Sequence, residues 1–186
     1  MTIRSIAAAS MMIGMGFSPL ASSDAQTDTD AQPAPVIEPC AAPIYQEFDF
    51  WVGTWDVTDV NGTLQGRNVI TKEERGCVVL ERWTSAAGGT GQSYNYADPA
   101  TGLWRQVWVS AAANIDYVGG RTAAGGIRLE GEITYRNGTT SAFRGEWVPR
   151  EDGTVLQTFQ QFNPENRNWD EWFTGIYTRV EDDTDS

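Results

Sequence analysis

The stretch EFDFWVGTWDV, residues 47–57, packs two phenylalanines, two tryptophans and one glycine into the first apolar run after a polar leader. Such crowding either offers an aromatic surface to a ligand or marks the place where a fold closes on itself. The rest of the chain bears on that choice. Downstream there is no helical stripe of useful length, and runs of strand-forming residues recur every 10 to 12 positions with turn chemistry between them. Ten strands are expected, over 51–59, 64–74, 77–85, 91–97, 103–110, 114–121, 126–136, 140–148, 154–162 and 168–179. Asn-Gly in DVNGTL and in RNGTT supplies the positive φ values of tight two-residue hairpins, so neighbouring strands are antiparallel. Ten short strands joined by hairpins expose edges unless the sheet closes. The expected fold is therefore all-β, a single antiparallel up-and-down barrel, with a two-sheet sandwich as the alternative.

Composition narrows the chemistry. The net charge is −12 and the isoelectric point about 4.3, so nucleic acid and anionic membrane surfaces are not expected partners. Lys72 is the single lysine and there is no histidine. That removes Ser-His-Asp and Cys-His catalysis, His-ligated zinc and proximal-His haem, and no metal or cofactor is expected.

Residues 1–25 read as an export signal: a short positive start in MTIR, the apolar run SIAAASMMIGMGFSPLA, and a small-residue region in which cleavage after Ser23 or Ala25 is equally defensible. Gly14, Gly16 and Pro19 interrupt the run, which argues against a membrane span. Residues 26–39 read as a disordered linker, 40–180 as one folded domain and 181–186 as an acidic tail. The expected address is periplasmic or secreted. In an oxidising compartment the two cysteines, Cys40 and Cys77, are expected to form a disulfide.

Gly53-Thr54-Trp55, following DFWV and opening the first strand, resembles the Gly-x-Trp signature of the calycin superfamily, which includes lipocalins, fatty-acid-binding proteins and nitrobindin-like barrels. In that superfamily the Trp plugs the closed end of the barrel, and an Arg from the end of the last strand packs across it. The resemblance thus implies barrel closure by Trp55 and Arg179. From CAAPIYQEFDFWVGTWDV through GCVVLERW, NYADPATGLWRQVWV and FTGIYTR, the chain is similar to exported bacterial proteins with a lipocalin-like barrel and an FDFWVGxWxV motif. This implies a fold and carries no activity with it. Nitrobindin-like relatives hold haem iron through a histidine, which this chain lacks.

Strand parity selects the candidate interior. In 103–110, Leu103, Arg105, Val107 and Val109 alternate with Trp104, Gln106, Trp108 and Ser110. Burying Arg105 among valines carries a heavy desolvation cost, so Trp104, Gln106 and Trp108 are expected to face inward. The same reasoning turns Val79, Glu81 and Trp83 inward and leaves Arg82 outside. Over 91–97 the choice between Tyr94 with Tyr96 and Ser93 with Asn95 stays open, a polar cavity favouring the second pair. Over 154–162 the set of Thr158, Gln160 and Phe162 competes with Gln157, Phe159 and Gln161. Ser93, Asn95, Tyr117 and Gln160 join Glu81, Trp83, Trp104, Gln106 and Trp108 as candidate ligand contacts.

Indoles, amides, hydroxyls and one carboxylate suit a small apolar or aromatic molecule held by stacking and a few polar anchors. The alternative is an envelope interaction module whose aromatics fill the barrel. A second alternative is an enzyme working through Glu81 beside Trp83, or Glu171 beside Trp169, with an apolar pocket raising the carboxyl pKa.

Overall fold

The computed structural model describes residues 38–180. The expected signal segment, the acidic tail and the linker up to residue 37 lie outside the described residues. Ten strands appear: β1 (Gly53–Thr58), β2 (Leu64–Glu73), β3 (Val78–Ser85), β4 (Thr90–Asp98), β5 (Leu103–Ser110), β6 (Ala113–Arg121), β7 (Ile127–Tyr135), β8 (Thr140–Pro149), β9 (Val155–Asn163) and β10 (Asn168–Arg179). Each is antiparallel to its sequence neighbours, and β1 also pairs with β10, so the sheet closes into one up-and-down barrel. Closure leaves no free edge, the physical reason a chain of hairpins settles on this shape.

The boundaries follow the sequence reading within one or two residues, and the largest departure is at the start. Trp51 and Val52 are not strand. A short 3-10 turn at Pro43–Gln46 and another at Asp49–Trp51 carry the chain across one end of the barrel. The second is fixed by backbone bonds from Trp51 N–H to the Phe48 carbonyl, 3.1 Å, and from Val52 N–H to the Asp49 carbonyl, 3.0 Å. These turns let Phe48 and Trp51 drop into the core, which extended backbone pointing alternate residues outward would not.

There the two rings stack at 4.9 Å, and Phe48 meets Trp104 and Trp147 edge-on at 5.5 and 5.4 Å. The Trp55 indole N–H donates to the Trp51 carbonyl at 2.8 Å. Over the Trp55 ring, at 4.2 Å, lies the Arg179 guanidinium, which donates to the Val52 carbonyl at 3.0 Å. Residues 47–57 therefore close the barrel and do not form an exposed aromatic surface.

Gly53 is required by this arrangement. Its φ of +144° disfavours any side chain, and a Cβ there would run into the Arg179 guanidinium. Gly53→Ala is expected to lose about 1–3 kcal/mol of stability through backbone strain and displacement of Arg179. Urea unfolding followed by tryptophan fluorescence measures it, and an unchanged midpoint would contradict this account of the motif.

The disulfide between Cys40 and Cys77 is present, spanning 37 positions. It ties the start of the plug to the β2–β3 corner, and in the chain-entropy model a loop of this size contributes about 4 kcal/mol. Among the described residues no helix is long and apolar enough to cross a membrane.

A candidate ligand cavity above a buried carboxylate

With one end plugged, side chains further along the inward rows leave the other end hollow. A cavity of about 260 Å³ lies there, just below the ~300–1,000 Å³ common for drug-sized ligands, a size for one or two rings. Its aromatic wall comes from Trp83 on β3, Trp108 on β5, Phe159 on β9, and Trp172 and Phe173 on β10. Gly91 makes room for one of these rings. It lies across from Ser110 on the neighbouring strand, and a Cβ there would overlap the Trp108 indole.

The polar part of the lining is Glu81, Gln106, Tyr117, Gln157 and Tyr177, with Gln65 and Ser85 toward the mouth. Glu81 is 5% exposed and Gln106, Tyr117 and Tyr177 are buried. Asn68 donates to Glu81 Oε1 at 2.7 Å, and the Ser93 hydroxyl donates to Oε2 at 2.6 Å. Behind Ser93 the chain continues: Asn95 donates to Ser93 Oγ at 2.9 Å, Gln106 donates to Asn95 Oδ1, and the Tyr117 hydroxyl donates to Gln106 Oε1. A second branch runs from Asn68 to the Tyr177 oxygen at 3.2 Å, whose hydroxyl donates to Gln157 Oε1 at 2.9 Å.

One relay of donors ends on the carboxylate, yet no cation does. Among the described residues every salt bridge lies elsewhere: Arg82 pairs with Glu73 and Arg105 with Asp116. Burial without a countercharge pushes the Glu81 pKa up to about 7, against the pull of the Ser93 and Asn68 hydrogen bonds. Burial, with the Glu81 charge next, also raises the pKa of both Tyr117 and Tyr177 well above the ordinary tyrosine value, so both remain neutral donors.

Of the residues expected from sequence, Glu81, Trp83, Gln106, Trp108 and Tyr117 come together on the cavity wall. Ser93 and Asn95 are buried behind it and act through the relay, resolving the β4 parity in favour of the polar pair, with Tyr94 exposed. Trp104 faces inward as expected but belongs to the plug: its indole packs on Phe48 and donates to Glu47 at 3.2 Å.

Gln160 is a correction. On β9 the inward row is Val155, Gln157 and Phe159, which turns Gln160 to the outer wall, where Arg144 donates to it at 2.7 Å. Glu171 pairs in register with Gln160 and is exposed, so it is no pocket carboxylate.

The sequence reading missed Asn68, Tyr177, Trp172 and Phe173 as parts of the site, and left Gln157 and Phe159 in one of two competing sets on β9. Tyr177 had a usable signal: it stands two positions before Arg179 and so shares its face. Phe173 shares that parity, whereas Trp172 had no signal, because a register shift between Glu171 and Phe173 lets two consecutive residues reach the same side. Trp169 stays outside under the Arg144 guanidinium, 4.2 Å from its ring centre.

The arrangement offers a ring-sized apolar slot with hydrogen-bond acceptors gathered at one side. Compared with known proteins, the chain matches no family model and no curated protein.

Proposed function

We propose that the protein is an exported small-molecule binder of calycin-like type, taking an aromatic or apolar ligand into the barrel interior. The observation that carries this reading is the cavity of about 260 Å³, walled by indole and phenyl rings and lined on one side by Glu81, Gln106 and Gln157. A barrel serving only as an interaction module has no need of that space, and apolar voids of this size cost stability when nothing fills them. Export is supported by the disulfide, which persists in oxidising compartments, together with the sequence reading of residues 1–25.

Native mass spectrometry of protein purified from its own envelope fraction tests the proposal, paired with titration of neutral fluorescent probes. A stoichiometric small molecule, or probe binding that competes with it, is the expected result. A bare mass together with indifference to every probe would return the barrel to the role of an interaction module.

A second reading is favoured by one observation: Glu81, with a pKa of about 7 and no cation, is poised to move a proton at neutral pH. On that reading Glu81→Gln abolishes turnover of whatever the cavity holds while leaving its binding intact. Unchanged turnover removes Glu81 as an acid-base group.

A further inference from the structure

From the acceptor-rich floor and aromatic walls of this cavity, we propose that its ligand carries a basic nitrogen: an aromatic or compact apolar amine whose ammonium group seats on Glu81. This inference rests on the proposed binding role and specifies the class of ligand.

The hydrogen-bond directions carry the argument. Each carboxylate oxygen has two acceptor sites, and the protein fills one on each, through Asn68 and Ser93. One site per oxygen remains for a ligand donor. The neighbouring hydroxyl protons are turned away from an incoming acceptor: Tyr117 donates to Gln106, and Tyr177 donates to Gln157. What the floor offers is lone pairs on Glu81 and the phenolic oxygens, with the Gln157 NH2 as a neighbouring donor.

Charge points the same way. Glu81 is a buried carboxyl group, and no Lys or Arg lines the cavity. A buried carboxylate lacking a cation is costly, and a ligand cation supplies the missing partner. The walls suit it as well, since Trp83, Trp108 and Trp172 line the cavity and tryptophan is the residue type that binds cations best. An anionic ligand would meet the carboxylate in a poorly solvated site with no countercharge.

The titratable groups packed around Glu81 are Tyr117 from β6 and Tyr177 from β10. Both are held neutral, so the carboxyl is the group that sets the pH dependence. Binding of an ammonium group favours ionised Glu81, and a proton is released when the pocket fills from the neutral carboxyl form.

Isothermal titration with tryptamine, tryptophol and indole-3-propionate, three indoles differing in head group, tests the proposal on the wild-type protein. At pH 8 tryptamine is expected to bind at least about tenfold more tightly than tryptophol, a step of ~1.4 kcal/mol, with the propionate weakest. In Glu81→Gln, checked for folding by near-ultraviolet circular dichroism, the amine and alcohol are expected to converge. In the wild type, lowering the pH from 8 to 5.5 should weaken tryptamine and leave tryptophol unchanged.

Equal affinity for amine and alcohol, or preference for the acid, overturns the cationic ligand and leaves the binding role standing. So does an amine preference that survives in Glu81→Gln. Failure of all three indoles, with a panel of neutral probes also unbound, overturns both.

Discussion

Glu81→Gln is expected to be more stable than the wild type by about 3 kcal/mol at pH 8, and close to it at pH 4. The sign follows from the direction of the shift. In the unfolded chain Glu81 titrates at the ordinary carboxylate value, while burial holds it at about 7 in the folded barrel. Below the unfolded value both states keep the proton and no penalty arises. As pH rises, the unfolded state loses its proton first, so stability falls until the folded group has titrated as well. Gln keeps the shape and never ionises; its one oxygen meets the Ser93 hydroxyl, and its NH2 faces Asn68, whose unpartnered Oδ1 can turn to accept it. Other groups titrate over the same range, so the quantity to measure is the difference between the two proteins in urea unfolding at each pH. A difference that does not widen above pH 5 would mean that Glu81 is solvated or paired.

The second large effect separates the plug from the site. Trp51 is fully buried, stacks on Phe48, and approaches Trp147 at 5.5 Å and Tyr177 at 6.3 Å. Trp51→Ala is expected to cost about 3–5 kcal/mol, the range for deleting a large buried aromatic side chain. Trp172, half exposed at the cavity rim and edge-on to Phe143 at 5.5 Å, behaves in the opposite way. Trp172→Ala should stay within about 1 kcal/mol of wild type in stability while weakening probe binding severalfold. Thermal melts with and without a bound probe give both numbers. A large stability loss at Trp172 with probe binding untouched would place the aromatic mouth in the core instead of in the site.

The barrel was legible because its signals are local. Asn-Gly turns fix hairpins, and an arginine on one side of a strand decides which face is wet, as Arg105 did for β5 and Arg82 for β3. Where neither side carries a charge the pattern loses its grip. On β9 both rows contain glutamine and phenylalanine, so the parity stays open and Gln160 stands as a candidate contact, whereas Gln157 is the residue that faces the cavity. On β10 a bulge at Trp172 breaks the alternation outright, and the ring it turns packs against Phe143 on β8 and Phe159 on β9. Polar interior positions are hidden for a related reason. Asn68, Ser93 and Asn95 are tolerable in a core because each finds side-chain or backbone partners on β3 or β4, and those partnerships exist only once the strands have paired.

The opening motif shows the same division. Gly53, Trp55 and Arg179 announce closure, yet the drop of Phe48 and Trp51 beneath the barrel depends on two 3-10 turns that no periodicity foretells.

The central claim is that a small molecule meets a buried carboxylate without a cationic partner inside this barrel. Carbon-13 NMR of the Glu81 side-chain carboxyl, titrated in the free protein and at saturation with tryptamine, tests it most directly. The account predicts a pKa of about 7 in the free protein and a clear fall when the amine is bound. An ordinary carboxylate titration in the free protein, or one that tryptamine at saturating concentration leaves unmoved, would contradict it.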